Sequence, residues 1–168
     1  MTENIILCGF MGCGKTTVGR VLASLLGMEF ADLDSVIESR ADMTVSEIFT
    51  SFGEEYFRAL EAQAAAELSK RSGIVLATGG GAVLDAGNVA LFKSGGRIVF
   101  IDVPLETISG RLEGDASRPL LPTDRAALRR LYDARQPLYR AAADIVVSNA
   151  ADAPAPDVAR EIVKKLGA

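Results

Sequence analysis

The stretch Gly9-Phe10-Met11-Gly12-Cys13-Gly14-Lys15-Thr16 fills every fixed position of the pattern G-x-x-x-x-G-K-[ST], the spacing of a phosphate-binding loop. Residues 4 to 8, directly before it, are a short apolar run typical of a β-strand. Residues 17 to 26, directly after it, carry apolar side chains at helical spacing. A strand, a loop and a helix in this order predict a nucleotide-binding site. The alternative is a glycine-rich turn that matches the pattern by chance.

The residue types in this loop each have a chemical reason. Glycines let the backbone turn successive N–H groups toward an anion, and the helix that follows adds the positive end of its dipole. Lys15 is expected to reach the β- and γ-phosphates, and the Thr16 hydroxyl to bind Mg²⁺. The loop therefore predicts a bound nucleotide, but it does not say what receives the phosphate.

The composition predicts an ordinary globular domain. The chain has 168 residues, 49% of them hydrophobic and 24% charged, enough for one unit with its own core. Its net charge of −4 argues against nucleic acid or an anionic membrane surface as the main partner. The sequence shows no apolar run as long as a membrane span, no basic secretory signal at its start, and no apolar stripe left over for a second subunit. We therefore expect a soluble, cytoplasmic monomer.

Two residue types limit the chemistry. The chain has no histidine, which excludes imidazole bases and histidine-ligated metals, so any proton acceptor is expected to be a carboxylate. Cys8 and Cys13 lie too close together, in a strand and a binding loop, to indicate a disulfide framework or a zinc site. We expect Cys8 in the core and Cys13 exposed and open to oxidation.

Asp32 and Asp34 come at the end of the second predicted strand, residues 28 to 32, where open α/β sheets bind their ligands. One carboxylate beside a phosphate loop can hold Mg²⁺, and the other can accept a hydrogen bond from a hydroxyl that attacks the γ-phosphate. The alternative for Asp34 is structural, since aspartate commonly caps a helix. The spacing favours a functional pair.

Three consecutive glycines follow the apolar strand of residues 74 to 77, in the sequence Thr78-Gly79-Gly80-Gly81. Such a run is costly as a plain loop, which indicates backbone that comes close to a substrate or to the transferred phosphate. Strands and helices alternate along the rest of the chain. This alternation predicts a parallel sheet with helices on both faces.

Arg58 and Arg118 are candidates for binding anions. Arg58 lies beside the apolar stripe of a helix predicted over residues 54 to 69, three residues before Glu61. It is either half of a surface ion pair or a bidentate ligand for an anionic substrate. Arg118 is the cation of a segment, about residues 112 to 123, that has the character of a lid. Its alternative is an ordinary arginine of a surface loop.

Arg135 lies in a helix predicted over residues 124 to 142 and is expected on its inward face. A buried cation needs a partner, which is either a structural carboxylate or a bound anion. Pro137 nearby favours a built site over plain packing. The residues that define the expected face, at helical spacing, are Leu128, Leu131, Arg135 and Leu138.

Together these segments resemble the shikimate kinase family over nearly the whole chain. The resemblance implies an α/β fold of the three-layer P-loop kinase type, similar to nucleoside monophosphate kinases, with a parallel five-stranded sheet and helices on both faces. It also implies one domain over residues 1 to 168, with a substrate-binding helical region at about 33 to 61 and a lid at about 112 to 123. The motifs that carry it are residues 9 to 17, Phe30-x-Asp32-x-Asp34, Phe57-Arg58-x-x-Glu61, Thr78-Gly79-Gly80-Gly81, Arg118-Pro119-Leu120-Leu121 and Arg135-x-Pro137-Leu138-Tyr139.

The same resemblance implies transfer of the ATP γ-phosphoryl group to the 3-hydroxyl of shikimate, in the synthesis of aromatic amino-acid precursors. It makes Lys15, Asp34 and Arg118 catalytic, with Asp34 either a base or a group that orients the hydroxyl, and it gives Mg²⁺ to Thr16 and Asp32. The implied substrate ligands are Asp34, Arg58, Gly79, Gly80, Gly81 and Arg135. The implied nucleotide ligands are Gly12, Cys13, Gly14, Lys15, Thr16, Thr17, Arg111 and Arg118.

One segment departs from the family pattern, because residues 149 to 156 hold no cation where the family often places a basic loop near adenine. Nucleotide preference and affinity therefore stay open. The rival hypotheses are a kinase for gluconate or for a nucleoside monophosphate, and a nucleotide-binding regulatory module without catalysis. Arg58 and Arg135 with Asp34 suit a carboxylated polyol, and the intact Lys15 and Thr16 argue against a module that has lost activity.

Overall fold

The computed structural model describes residues 3–112 and 124–167. Its centre is a five-stranded parallel sheet in the order β2-β3-β1-β4-β5, which confirms the predicted fold class. The register pairs Ile6 of β1 with Leu76 of β3 on one side and with Ile98 of β4 on the other. The strands are β1 (Asn4–Cys8), β2 (Glu29–Asp32), β3 (Ile74–Ala77), β4 (Gly96–Asp102) and β5 (Ile145–Ser148).

Helices cover both faces of the sheet. Every residue of β1 and of β3 is buried, and successive side chains of a strand point to opposite faces, so neither face is open to solvent here. The first and last helices pack on each other, as do the third and fourth. The helices are α1 (Lys15–Leu26), α2 (Leu33–Ala41), α3 (Val45–Leu68), α4 (Ala86–Gly95), α5 (Leu105–Leu112), α6 (Arg125–Ala142) and α7 (Ala155–Leu166), with a 3₁₀ turn at Ala82–Leu84.

The start and the middle of α3 follow local sequence signals. Thr44 and Glu47 form a capping box, in which each side chain accepts from the other residue's backbone N–H. At Gly53 the backbone leaves helical geometry (φ 83°, ψ 174°). The helix resumes at once, because the left-handed φ that glycine tolerates absorbs the change of direction.

The inward face of α6 differs from the prediction. Leu138 is 49% exposed, whereas Leu128, Tyr132 and Tyr139 are buried. At 3.6 residues per turn, residue 139 returns to within about 20° of residue 128, while residue 138 is about 80° away. Arg135 keeps the predicted orientation and is half-buried.

Cys8 and Cys13 are both buried free thiols, so the expected exposure of Cys13 is wrong. The phosphate loop closes over the Cys13 side chain, whose Sγ lies 3.6 Å from Lys15 Nζ. Among residues 3–112 and 124–167, no helix combines the length and the apolar character that a membrane span requires.

Candidate active site

A cavity of about 580 Å³ lies where the strands end at their carboxyl termini, the edge at which open α/β sheets bind ligands. Segments that follow each of the five strands line it. The cavity therefore brings together parts of the chain that are far apart in sequence. Its lining includes Gly12, Cys13, Gly14, Lys15, Thr16, Thr17, Asp32, Asp34, Thr78, Gly79, Gly80, Arg111, Asn149 and Asp152.

The phosphate loop has the backbone geometry of an anion site. Gly12 and Gly14 take left-handed φ values of 79° and 92°, which only glycine adopts without strain. Helix α1 begins directly after Gly14 without a side-chain cap and without an acidic residue in its first turn. Its N-terminal N–H groups and its dipole therefore face the cavity, with no acidic side chain of the first turn itself beside them.

Lys15 is buried, and its ammonium group is bound by the loop itself. Nζ donates to the carbonyl oxygens of Gly9 at 2.8 Å and of Phe10 at 3.1 Å. These contacts hold the cation at the loop, next to where the helix N-terminus would bind phosphate.

Asp32 links the loop to the second strand. One carboxylate oxygen accepts from the Thr16 hydroxyl at 2.8 Å, and the other accepts from Ser35 N at 3.2 Å, which caps α2. The cap of this helix is therefore Asp32, and the alternative that Asp34 serves as the cap is wrong. Asp34 lies in the first turn of α2 and lines the cavity.

Asp34 and Glu61 converge on Gly79. A Cβ on Gly79 would lie 2.9 Å from Asp34 Oδ1 and 3.3 Å from Glu61 Oε2. Glu61 is only 1% exposed. Burial raises the pKa of its carboxyl, Arg58 lowers it, and the charge of Asp34 raises it again.

The burial of Glu61 was not predicted from the sequence, because Glu61 was considered there only as a neighbour and ion-pair partner of Arg58. The signal was present, because Glu61 is spaced at helical intervals from the apolar residues Phe57, Ala64 and Leu68 of α3. A carboxylate on the apolar stripe of a helix needs a buried partner, and Arg58 supplies it.

Arg58 forms more than a surface ion pair. Its Nη1 donates to the buried Glu61 Oε1 at 2.8 Å, and Nη2 donates to the exposed Glu54 Oε1 at 3.3 Å. The guanidinium lies directly on Gly81, where a Cβ would come within 2.4 to 2.6 Å of its atoms. Neither Arg58 nor Gly81 is among the lining residues of the cavity. They lie at the end of the glycine segment, Gly79–Gly81, whose first two residues line it.

Arg135 and Tyr139 approach the same segment from α6. Arg135 Nη1 and Tyr139 Oη would lie 3.6 and 3.7 Å from a Cβ on Gly80. The part of the chain that the structure describes contains no carboxylate in an ion pair with Arg135, whose Cζ lies 5.9 Å from the ring centre of Phe10. Of the two predicted partners, this favours a bound anion over a structural carboxylate.

Arg111 borders the nucleotide side of the cavity. Its Nη1 donates to the carbonyl oxygen of Gly12 at 3.0 Å, and its Nη2 forms an ion pair with Asp152. Asp152 belongs to the segment without cations, and its turn is held by the buried Asn149, whose side chain accepts from Ala153 N at 2.7 Å. Residues 149 to 156 therefore border the cavity with an acidic side chain that fixes Arg111. This role was not predicted from the absence of basic residues in the segment.

The predicted lid of residues 112 to 123, with Arg118, lies outside the described residues except for Leu112. That residue ends α5 and lines the cavity.

Comparison with known proteins places this architecture in one family. A family model for shikimate kinase matches residues 11–167. The shikimate kinase of Moorella thermoacetica is 47% identical, over 100% of this chain and 96% of that protein. A solved structure of shikimate kinase from Acinetobacter baumannii in complex with shikimate aligns with a TM-score of 0.94 at 41% identity, over 99% of this chain and 93% of that one. The shikimate kinase of Aquifex aeolicus gives 0.87 at 35% identity, over 98% and 96%.

Proposed function

The chain belongs to the shikimate kinase family and is an ATP-dependent kinase of shikimate, and we propose that the γ-phosphoryl group of ATP passes to the 3-hydroxyl in the cavity described above. The reaction is a step in the synthesis of aromatic amino acids. The observation that carries the proposal is the arrangement around three adjacent glycines. Asp34 lies against Gly79, Arg135 against Gly80 and Arg58 against Gly81.

This arrangement suits a small acid that carries several hydroxyl groups. Guanidinium groups on two elements, α3 and α6, can bind a carboxylate from two sides through paired N–H donors. The carboxylate of Asp34 is an acceptor for hydroxyl protons. The glycines allow the acceptor to lie on bare backbone, where any Cβ would contact the side chains that bind it.

The phosphate loop and α1 form the donor half of the site. We assign the ATP phosphates to the loop N–H groups and to Lys15, and the adenine side to Arg111. For Mg²⁺, the Thr16 hydroxyl and the Asp32 carboxylate supply adjacent hard oxygen atoms of the kind this ion prefers, so the residues fit. When bound, the ion would neutralise charge that develops on the transferred phosphate.

Phosphoryl transfer needs positioning and charge neutralisation more than covalent catalysis. We assign to Asp34 the orientation of the attacking hydroxyl and the acceptance of its proton. We assign Lys15 to the transferring group. Arg118 stays a prediction from the sequence, to be tested by the rate of Arg118→Ala.

The proposal is tested by an assay of ADP release with purified protein, Mg-ATP and a panel of acceptors: shikimate, quinate, gluconate and nucleoside monophosphates. We expect turnover with shikimate. Rapid turnover with gluconate or a nucleotide, and none with shikimate, would contradict the proposal. Arg135→Ala should raise the KM for shikimate far more than the KM for ATP, and equal effects would mean that Arg135 is structural.

We also propose that residues 1 to 168 act as one kinase unit and as a monomer. Light scattering coupled to size exclusion tests this, and the proposal predicts one species of about the chain mass of 17.7 kDa. A mass near twice that value would contradict it.

A further inference from the structure

Tyr139 connects α6 to the glycine segment. Its side chain is fully buried, and its hydroxyl donates a 2.6 Å hydrogen bond to the carbonyl oxygen of Gly80. Its ring packs on Phe100 of β4, with the ring centres 5.5 Å apart. The ring is thus anchored to the sheet, while the hydroxyl binds backbone at the acceptor site.

The same hydroxyl lies beside Arg135, one helical turn earlier on α6. Burial raises the pKa of the Tyr139 hydroxyl well above its usual value, against the opposing effect of the Arg135 cation. The hydroxyl therefore stays protonated and able to donate over the range in which enzymes work. Tyr139 Oη and Arg135 Nη1 both lie within 4 Å of the position of a Cβ on Gly80.

We propose that Tyr139 is a positioning residue for the acceptor, which fixes α6 against Gly80 and so sets the place of the Arg135 guanidinium relative to Arg58. The inference rests on the proposed function, because it takes Arg58 and Arg135 as ligands of the acceptor carboxylate. A bidentate contact tolerates little error in position, so a helix free to move by a fraction of an ångström would bind the acceptor more weakly.

The same helix provides a matched control in Tyr132, two turns earlier. Tyr132 is also buried, its hydroxyl donates to the carbonyl oxygen of Val103 at 2.8 Å, and its ring meets Phe10 edge-on at 5.3 Å. Both tyrosines therefore pack an aromatic ring and satisfy one backbone carbonyl. They differ in whether that carbonyl belongs to the glycine segment.

The test compares Tyr139→Phe with Tyr132→Phe. Each substitution removes one hydroxyl and keeps the ring, so we expect both to lower the melting temperature. For Tyr139→Phe we expect the KM for shikimate to rise about ten-fold, the effect of one hydrogen bond on a binding equilibrium, with the KM for ATP changed less than two-fold. For Tyr132→Phe we expect both KM values to stay within two-fold of the wild type.

A double substitution separates positioning from general packing. If Tyr139 acts through Arg135, then adding Tyr139→Phe to Arg135→Lys should raise the KM for shikimate much less than it does in the wild type. Equal KM values for shikimate in Tyr139→Phe and Tyr132→Phe, or full additivity with Arg135→Lys, would overturn the inference. Failure of the wild type to phosphorylate shikimate would instead overturn the proposed function.

A measurement on the unaltered sequence covers the case in which Tyr139→Phe does not fold. The chain has three tyrosines, so uniform replacement by 3-fluorotyrosine gives a ¹⁹F spectrum of three environments. The signals of Tyr56 and Tyr132 are assigned with their phenylalanine variants, and the third belongs to Tyr139. We expect shikimate to shift the Tyr139 signal and to leave that of Tyr132 in place. An unshifted Tyr139 signal at saturating shikimate would contradict the inference.

Discussion

Gly81→Ala tests whether the place of Arg58 on bare backbone matters for binding the acceptor. The added Cβ would lie 2.4 Å from Arg58 Nη2, 2.5 Å from Nη1 and 2.6 Å from Cζ. Non-bonded heavy atoms rest at about 3.5 to 4.0 Å, so the guanidinium must move by roughly 1 Å. The backbone itself does not oppose the change, because Gly81 has φ −103° and ψ −11°, values that alanine accepts.

The expected effect follows from that displacement. A shift of about 1 Å takes a charge-assisted hydrogen bond of Arg58 out of range, and such a bond is worth about 1.5 to 3 kcal/mol. If the lost bond is one to the acceptor, the KM for shikimate should rise by roughly 10- to 100-fold. The KM for ATP should change little, because the nucleotide is assigned to the phosphate loop and Arg111, whereas the three atoms nearest to the added Cβ all belong to Arg58.

The assay is ADP release with shikimate varied at saturating Mg-ATP, together with calorimetric titration of shikimate. Gly110→Ala is the control, because among the described residues nothing lies within 4 Å of its added Cβ, and the substitution should stabilise helix α5 by about 0.5 to 1 kcal/mol. A folded Gly81→Ala protein with the wild-type KM for shikimate would refute the idea that Arg58 binds the acceptor from this position.

Three further predictions concern carboxylates. Glu61→Gln should gain stability relative to the wild type as the pH rises above 4.5. Because the pKa of Glu61 is raised in the folded protein, ionisation of this buried carboxyl lowers the free energy of unfolding of the wild type, and glutamine does not ionise. Urea unfolding over a pH series measures the difference, and a difference that does not depend on pH contradicts the prediction. Asp152→Ala should release Arg111 and so raise the KM for ATP up to about five-fold, which corresponds to the free energy of an exposed ion pair, and it should leave the KM for shikimate unchanged. An unchanged KM for ATP would show that the pair does not act on the nucleotide. Asp34→Asn should retain nucleotide binding, measured by titration of ADP, while transfer nearly stops; loss of ADP binding would show that Asp34 acts on the donor side.

The donor half of the site was predictable because it is local in sequence. Gly12, Gly14 and Lys15 belong to one loop, whose spacing alone predicted glycines that turn the backbone toward an anion, and the left-handed φ values of Gly12 and Gly14 agree with it. Strands β1 and β3 were predictable for a similar reason, since each is a short, almost wholly apolar run. The burial of Cys13 was not predictable in this way, because it depends on how the loop closes over its own side chain.

The acceptor half depends on topology that no short stretch contains. For Arg58 a surface ion pair stayed open as an alternative to anion binding, because the burial of Glu61 is decided by the packing of α3 against the glycine segment. On α6, a leucine was preferred over a tyrosine for the inward face, although helical geometry favours Tyr139 over Leu138. Tyrosine is less apolar than leucine, but its hydroxyl can be buried once a backbone carbonyl accepts from it.

The glycine segment explains why these separate elements can form one site. Its three residues present backbone to three side chains from different helices, Asp34 of α2, Arg58 of α3 and Arg135 of α6. A Cβ on Gly79 or on Gly81 would come within 3 Å of the group that lies on it, whereas a Cβ on Gly80 would make only ordinary contacts, so bare backbone is needed at the two outer glycines. Such a backbone surface is flexible unless other contacts fix it, because glycine gives the chain more conformational freedom than any other residue. The hydrogen bond from Tyr139 to the middle glycine supplies that hold, which is why we expect its loss to weaken the binding of the acceptor and not of ATP.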